Sequence, residues 1–462
     1  MGSRLFYCSP SIQIIPIMKT IRFNPVLLII ASVAVAAFAV FGIRTTLSRT
    51  QPMNEARRIP LTASAGATLA DKQMQKGEAM IKRAPSEPDG YNLLCAAYIQ
   101  KARDTGDFTF NAKAETALNH SFAVAADNYD AIKLKATLLL TYHRFGEALE
   151  VARRARALQP QDHTIYGALT DALVELGRYD EADDAVENMI RLKPDASSYA
   201  RLSYLYSLRG DVEGAIEVMR AAVKSSTPQD AEGLAWYRTH LGDELMKTGK
   251  LKEAEREFDV ALDIFPNYHI ALASKARARV AANDSSSAIE LYKQAQERVP
   301  LPDTAIALGD LYAKLGRADD ARKQYELVEF IEQSSAAGAA TYSRQLALFW
   351  ANHDKKLDEA LQIARSERAA RADIYTCDAL AWCLYKTNDL KGAKAAIDEA
   401  LRLGTRDALL HYHAGMICDR LGDRPGAIKH LSRALGINPS FDLLQADVAR
   451  QKLEELQTGK RS

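Results

Sequence analysis

A small residue recurs along this chain at a nearly fixed interval, and that spacing constrains the fold more than any other feature. The series is Ala114, Ala148, Ala182, Ala215, Ala254, Ala288, Ala321, Ala360, Ala393 and Ala427, with intervals of 34, 34, 33, 39, 34, 33, 39, 33 and 34 residues. Self-similarity at such a period marks an array in which each unit buries its apolar face only against its neighbours. Pro160, Pro194, Pro266, Pro300 and Pro439 each stand twelve residues after one of these alanines. Proline lacks a donor and clashes with the preceding turn, so each one predicts a helix stop. Five residues before the alanines stand Gly177, Gly210, Gly249, Gly316 and Gly422, with Asn283 and Asn388 in the same place twice. Each period therefore reads helix, tight turn, helix, stop.

Two copies are clearest. One holds Leu241, Gly242, Asp243, Leu245, Gly249, Ala254, Phe258, Ala261 and Pro266; the other holds Ala414, Gly415, Cys418, Gly422, Ala427, Leu431, Ala434 and Pro439. On these residues the chain resembles the tetratricopeptide repeat family over roughly residues 90–440. The resemblance implies an all-α, right-handed superhelical solenoid of about ten helix-turn-helix copies, working as a non-enzymatic protein-binding scaffold. Departures from the period predict an enlarged first turn around Asp104–Asn111 and loop insertions near Thr227–Glu232 and Gln333–Ala340. Residues 68–440 are read as the solenoid with Thr68–Arg83 as its front cap, and residues 441–462 as a capping helix, Phe441–Leu456, with a short tail.

With 462 residues the chain exceeds the roughly 250–300 at which single cores stop growing, in keeping with an array. A composition 47% hydrophobic and 26% charged excludes disorder as the main state. Lys and Arg number 60 against 59 Asp and Glu, so no general basic field exists to hold a phosphate backbone, and nucleic acid is not an expected partner. The basic excess sits in residues 1–60, where seven Lys or Arg face the single acid Glu55. Val26–Ile43 runs 18 residues without a charge, between Lys19 and Arg22 on one side and Arg44 and Arg49 on the other. That length just spans a bilayer. Residues 1–24 read as a basic leader, with translation expected from Met18; residues 25–44 read as a signal-anchor, or as a signal cleaved near Ala37-Phe38-Ala39; residues 45–67 read as a linker. The flanking charges leave orientation open. The expectation is a membrane-anchored chain with its body outside the cytoplasm, or a secreted one if the signal is cleaved.

No Gly-rich phosphate loop, His-Glu-x-x-His pair, Gly-x-Ser-x-Gly elbow or Cys-x-x-Cys occurs, so neither catalysis, a cofactor nor a small-molecule substrate is expected. Cys377, Cys383, His411, His413 and Cys418 fall on the first helices of consecutive repeats; seam packing is preferred over a metal site for them. The resemblance also implies binding on the concave side of the first helices. Counting from each helix start places Arg201, Tyr204, Trp236, His240, Asp243 and Arg277 there, and further on Asp310, Tyr375, Asp378, Trp382, Tyr385, Tyr412, His413 and Arg420. Trp, Tyr and Arg are the types that dominate binding energy, while seam packing is the competing role for each aromatic. Arg201 and Arg277 beside Tyr204, Trp236 and His240 suit a mildly acidic peptide or protein segment. Lys133 is followed at the matching next position by Thr137, so the family's Lys-and-Asn clamp for acidic C-terminal peptides is not reproduced. An accessory or regulatory subunit of an envelope enzyme, or of a secretion or polysaccharide-assembly complex, is the alternative.

Overall fold

The computed structural model describes residues 68–336 and 343–459. The leader, span and linker read at 1–67 lie outside the described residues. Among those described there are 22 helices and no strand, and helix accounts for 80% of them. None of these helices is long and apolar enough to cross a membrane. Helix α1 (Leu69–Arg83) stands first. Ten consecutive helix pairs follow: α2 (Pro88–Thr105) with α3 (Thr109–Val124), α4 (Tyr129–Thr141) with α5 (Phe145–Leu158), α6 (His163–Glu175) with α7 (Tyr179–Leu192), α8 (Ala196–Leu208) with α9 (Val212–Ser225) and α10 (Ala231–Lys247) with α11 (Leu251–Ile264). The array continues through α12 (His269–Ala281) with α13 (Ser285–Arg298), α14 (Pro302–Lys314) with α15 (Ala318–Ala336), α16 (Ser343–Asn352) with α17 (Leu357–Ala370), α18 (Ile374–Lys386) with α19 (Leu390–Ala400) and α20 (Ala408–Arg420) with α21 (Arg424–Ile437). Helix α22 (Gln445–Thr458) closes it.

The periodic residues explain the pairing. All ten alanines of the series are buried, where a larger side chain would hold two helices apart. Gly242 and Gly415 serve the same purpose on first helices: an added Cβ would overlap the ring of Phe258 at the former and stand 2.7 Å from Leu431 Cγ at the latter. The turn glycines Gly177, Gly210, Gly249, Gly316 and Gly422 all have positive φ, and Asn283 and Asn388 adopt the same conformation at 60° and 67°. Asparagine tolerates this region better than most L-residues, which is why it substitutes for glycine at this place in the repeat. Aspartates then start many helices, as where Asp211 accepts from the Gly214 N–H at 3.0 Å and Asp389 from Gly392 at 2.9 Å. Such caps contribute about 1 kcal/mol each.

Two expectations are corrected by the helix bounds. The first turn is not enlarged: Gly106–Phe108 separates α2 from α3, as three residues separate α4 from α5, and the extra residues lengthen α2 to 18. Much of the insertion near Thr227–Glu232 likewise extends α10 to 17 residues, against 13 for α8. An insertion of about one turn keeps the amphipathic phase of the helix, so helix absorbs it without loss of the buried face.

The array also closes on itself. Ala372 donates its main-chain N–H to the Glu175 carbonyl at 2.9 Å, and Ile374 donates to Tyr179 Oη at 2.9 Å. Arg371 reaches the Glu175 carboxylate at 3.1 Å, and Arg402 donates to the Gly177 carbonyl at 3.2 Å. Nearer the start, Arg298 donates to the Asp104 carbonyl at 3.3 Å. The separations of three of these contacts are 194, 195 and 196 residues. A constant offset means that the solenoid returns on itself after eleven helices, five and a half pairs, with loops of the later turn resting on tight turns of the earlier one. Gly177 and Gly210 show how close the approach is, because a Cβ on either would run into the carbonyl oxygen of Ala372 or Gly404, whereas Gly249, Gly316 and Gly422 have open space there.

Candidate functional site

The first helices α6, α8, α10 and α12 line a cavity of about 1080 Å³. Arg371, Asp407 and Phe441, all from the later superhelical turn, also line it. The later turn therefore adds part of the wall to a groove that stays open to solvent. All six residues counted to the middle concave face, Arg201, Tyr204, Trp236, His240, Asp243 and Arg277, are in this lining. Trp236 stands 3.9 Å from His240 and 5.3 Å from Tyr237, centroid to centroid, the latter edge-on. Tyr204 is 41% exposed. Burial pushes the His240 imidazole below its usual range, so the ring is neutral at physiological pH and adds polar edge without charge.

The two arginines do not offer the free guanidinium that a mildly acidic peptide would need. Arg201 forks onto Asp171 at 2.8 and 2.6 Å and also donates to the Gly167 and Ser197 carbonyls. Arg277 donates to Asp243 and to Ser274, each at 2.9 Å. Their partners lie one repeat back, 30 and 34 residues earlier. Sequence reasoning passed over Asp171; a search for opposite charges one period apart on first helices would have found it. The lining also holds Lys247 paired with Glu244 at 2.8 Å and Arg371 paired with Glu175 at 3.1 Å. In all it carries seven carboxylates and five cations.

The second group of expected groove residues lies elsewhere. Trp382, Tyr385, Tyr412 and His413 are buried and none lines the cavity. Trp382 stacks on Tyr385 at 4.7 Å and on His413 at 4.1 Å, and donates its indole N–H to Asn352 at 2.8 Å. His413 is hydrogen-bonded to buried Asp378 at 2.8 Å. Tyr375 is half-buried, its ring 6.0 Å from the Arg344 guanidinium. Asp310 accepts from Tyr325 at 2.8 Å and pairs with His353 at 2.9 Å, and Arg420 donates to Asn388 at 2.7 Å. Trp382, Tyr385, Tyr412, His413, Asp310 and Arg420 thus join neighbouring helices, whereas Tyr375 lies near Tyr204, Glu244 and Asp407 of the cavity lining. Cys377, Cys383 and Cys418 are buried thiols, and burial pushes Cys383 up to about 12 and Cys377 up to about 11. A thiol at that pKa stays protonated at neutral pH and is a poor nucleophile.

Comparison with family profiles agrees with this architecture. Three tetratricopeptide repeat profiles match the chain, one at residues 139–205, one at 196–227, and one at 239–301, 274–336 and 379–440. Together they cover more than half of the 462 residues. The chain is a tetratricopeptide repeat protein. It is 28% identical over 156 residues to the BBSome complex member BBS4 of Bos taurus, a match spanning 29% of this chain and 30% of that one. Among solved structures it is similar to a tetratricopeptide repeat protein from Parabacteroides merdae, at 18% identity and a TM-score of 0.34 over 57% of this chain and 98% of that one. Human IFIT1 in a dimer with PPP-AAAA is similar at 16% identity and a TM-score of 0.47, over 73% of this chain and 79% of that one.

Proposed function

We propose that this chain is a non-enzymatic scaffold that holds a polypeptide segment in the cavity lined by α6, α8, α10 and α12, and that residues 25–44 tether it to a membrane with its body outside the cytoplasm. Proteins built from these repeats act as protein-interaction scaffolds, and the bovine relative is itself named as a member of a complex. The observation that carries the reading is the lining: Tyr204, Trp236, Tyr237 and His240 cluster beside ordered ion pairs. Aromatic side chains with a polar edge provide large contact area at low entropic cost. Affinity capture with the full chain tests it. A partner recovered with the parent should be lost with Trp236→Ala and retained with Lys252→Ala, which alters an exposed residue outside the cavity. Equal recovery with both variants would remove the cavity from the reading. A reporter fused after Ser462 that works only outside the cytoplasm, with fractionation of the full chain, tests the tether; a silent reporter, or a chain wholly in the soluble fraction, would overturn that part.

A further inference from the structure

We infer that the segment held in this cavity is extended and cationic, carrying Lys or Arg side chains beside an aromatic or aliphatic one; this rests on the scaffold reading and gives its partner a chemistry. The charge of the lining decides the sign. Four of its five cations are each held by a lining carboxylate: Arg201 by Asp171, Lys247 by Glu244, Arg277 by Asp243 and Arg371 by Glu175. Asp230, Glu232 and Asp407 remain without an ion-pair partner among the described residues, against Arg103 alone on the positive side. Their carboxylates are occupied only by neutral donors. Asp230 accepts from the Gly233 N–H at 3.0 Å, Glu232 from Tyr268 Oη at 3.0 Å, and Asp407 from Leu409 and Leu410 N–H at 2.9 and 3.2 Å. An anionic segment would meet net negative charge in a concave, half-open space, where the field of one sign of charge is stronger than on a flat surface. A cationic one complements it.

The aromatic faces point the same way. The faces of Trp236, Tyr237 and Tyr204 carry negative quadrupole potential and attract ammonium or guanidinium groups, most strongly where water is excluded. Closure sets the shape. Loops of the later turn, bringing Arg371 and Asp407, stand at one side of the cavity beside α6 and α8, so the narrowed space suits an extended segment better than a folded domain. The volume of about 1080 Å³ is just above the roughly 300–1,000 Å³ of small-ligand pockets, enough for a short stretch of extended chain.

The test uses the full chain and two unstructured probe peptides of one length. One carries two lysines flanking a tyrosine; the other has both lysines replaced by glutamates. Binding is read by calorimetry and by the fluorescence of Trp236, the half-buried one of the chain's three tryptophans, since Trp350 and Trp382 are buried. The lysine peptide should bind, change that fluorescence and weaken as salt is raised. Asp230→Asn with Glu232→Gln removes two charges while keeping the helix cap and the Tyr268 acceptor, so the fold is retained, and affinity for the lysine peptide should fall about tenfold or more. Equal or tighter binding of the glutamate peptide, or an unchanged affinity in the double variant, would overturn the cationic assignment and leave the scaffold reading standing. Failure of both peptides to bind would overturn the two together.

Discussion

Trp236 with Tyr237 and His240, and Trp382 with Tyr385, Tyr412 and His413, are two aromatic groups of nearly the same composition on the same kind of helix, and they have opposite surroundings. In the later group the polar handles are turned inward: the Trp382 indole finds Asn352 one repeat back, His413 Nδ1 finds Asp378, and the Phe441 ring lies tilted 5.4 Å from Tyr412. In the earlier group the rings face a cavity, and the polar atoms around them are ion pairs that run along its wall. The difference teaches that residue type does not separate binding surface from seam in a repeat array. What separates them is whether the preceding repeat offers a buried partner at the matching height.

The largest expected effect breaks this comparison directly. Trp382→Ala should cost about 3–5 kcal/mol in denaturant unfolding, as for a fully buried aromatic, and Trp236→Ala only about 1 kcal/mol for a half-buried one. Equal losses would mean that both groups are seam packing. Next comes the closure that makes the earlier group a cavity. Gly177→Ala and Gly249→Ala share the strain of a positive φ, about 1–2 kcal/mol. Only Gly177 faces Ala372 of the later turn. Scattering should therefore show a larger radius for Gly177→Ala and none for Gly249→Ala. The same radius for both would show that the turns do not depend on that contact.

Smaller again is Arg201→Ala. Its partner Asp171 is 39% exposed, so the bidentate pair contributes about 1 kcal/mol despite good geometry. A loss above that would place Arg201 in the support of the wall rather than at its surface. At neutral pH the smallest effect is that of two half-buried histidines, and it emerges only as pH falls. His269 and His411 are both lowered to about 4, chiefly by burial, with Arg298 opposing protonation of the former and His430, Arg433 and Lys429 that of the latter. His411 Nδ1 also lies 3.1 Å from His430 Nδ1, so one ring must keep a neutral acceptor. Between the ordinary 6.5 and about 4 the unfolded chain binds protons that the folded chain does not. These rings therefore contribute stability fully above that window and lose it as pH falls through it. His411→Gln should flatten the slope of stability against pH there, and an unchanged slope would show that His411 is not the ring responsible.

Much of the fold was legible because its determinants are local and repeated. Ala254, Gly249 and Pro266 each act within a few residues of the backbone they shape, and ten copies of the same pattern leave little ambiguity. Three features were less legible. The insertion before Trp236 reads as a loop because length alone cannot say whether extra residues continue a helix; α10 takes them since its amphipathic phase survives an added turn. The arginines Arg201 and Arg277 read as free because their partners Asp171 and Asp243 stand a full repeat away. The aromatic pair Trp382 and Tyr412 reads as groove-lining because the same first-helix positions serve both purposes.

By itself the sequence determined the unit: a helix pair, its tight turn in the left-handed region, its small residues at the seam and its proline stop, all set by backbone sterics and close packing over fewer than about 40 residues. Only the tertiary structure decided what the units enclose. The small rotation from each pair to the next accumulates over eleven helices until Glu175 meets Arg371 and Gly177 meets Ala372. No motif of one period encodes a contact nearly 200 residues away, because such a contact depends on the sum of many small packing angles.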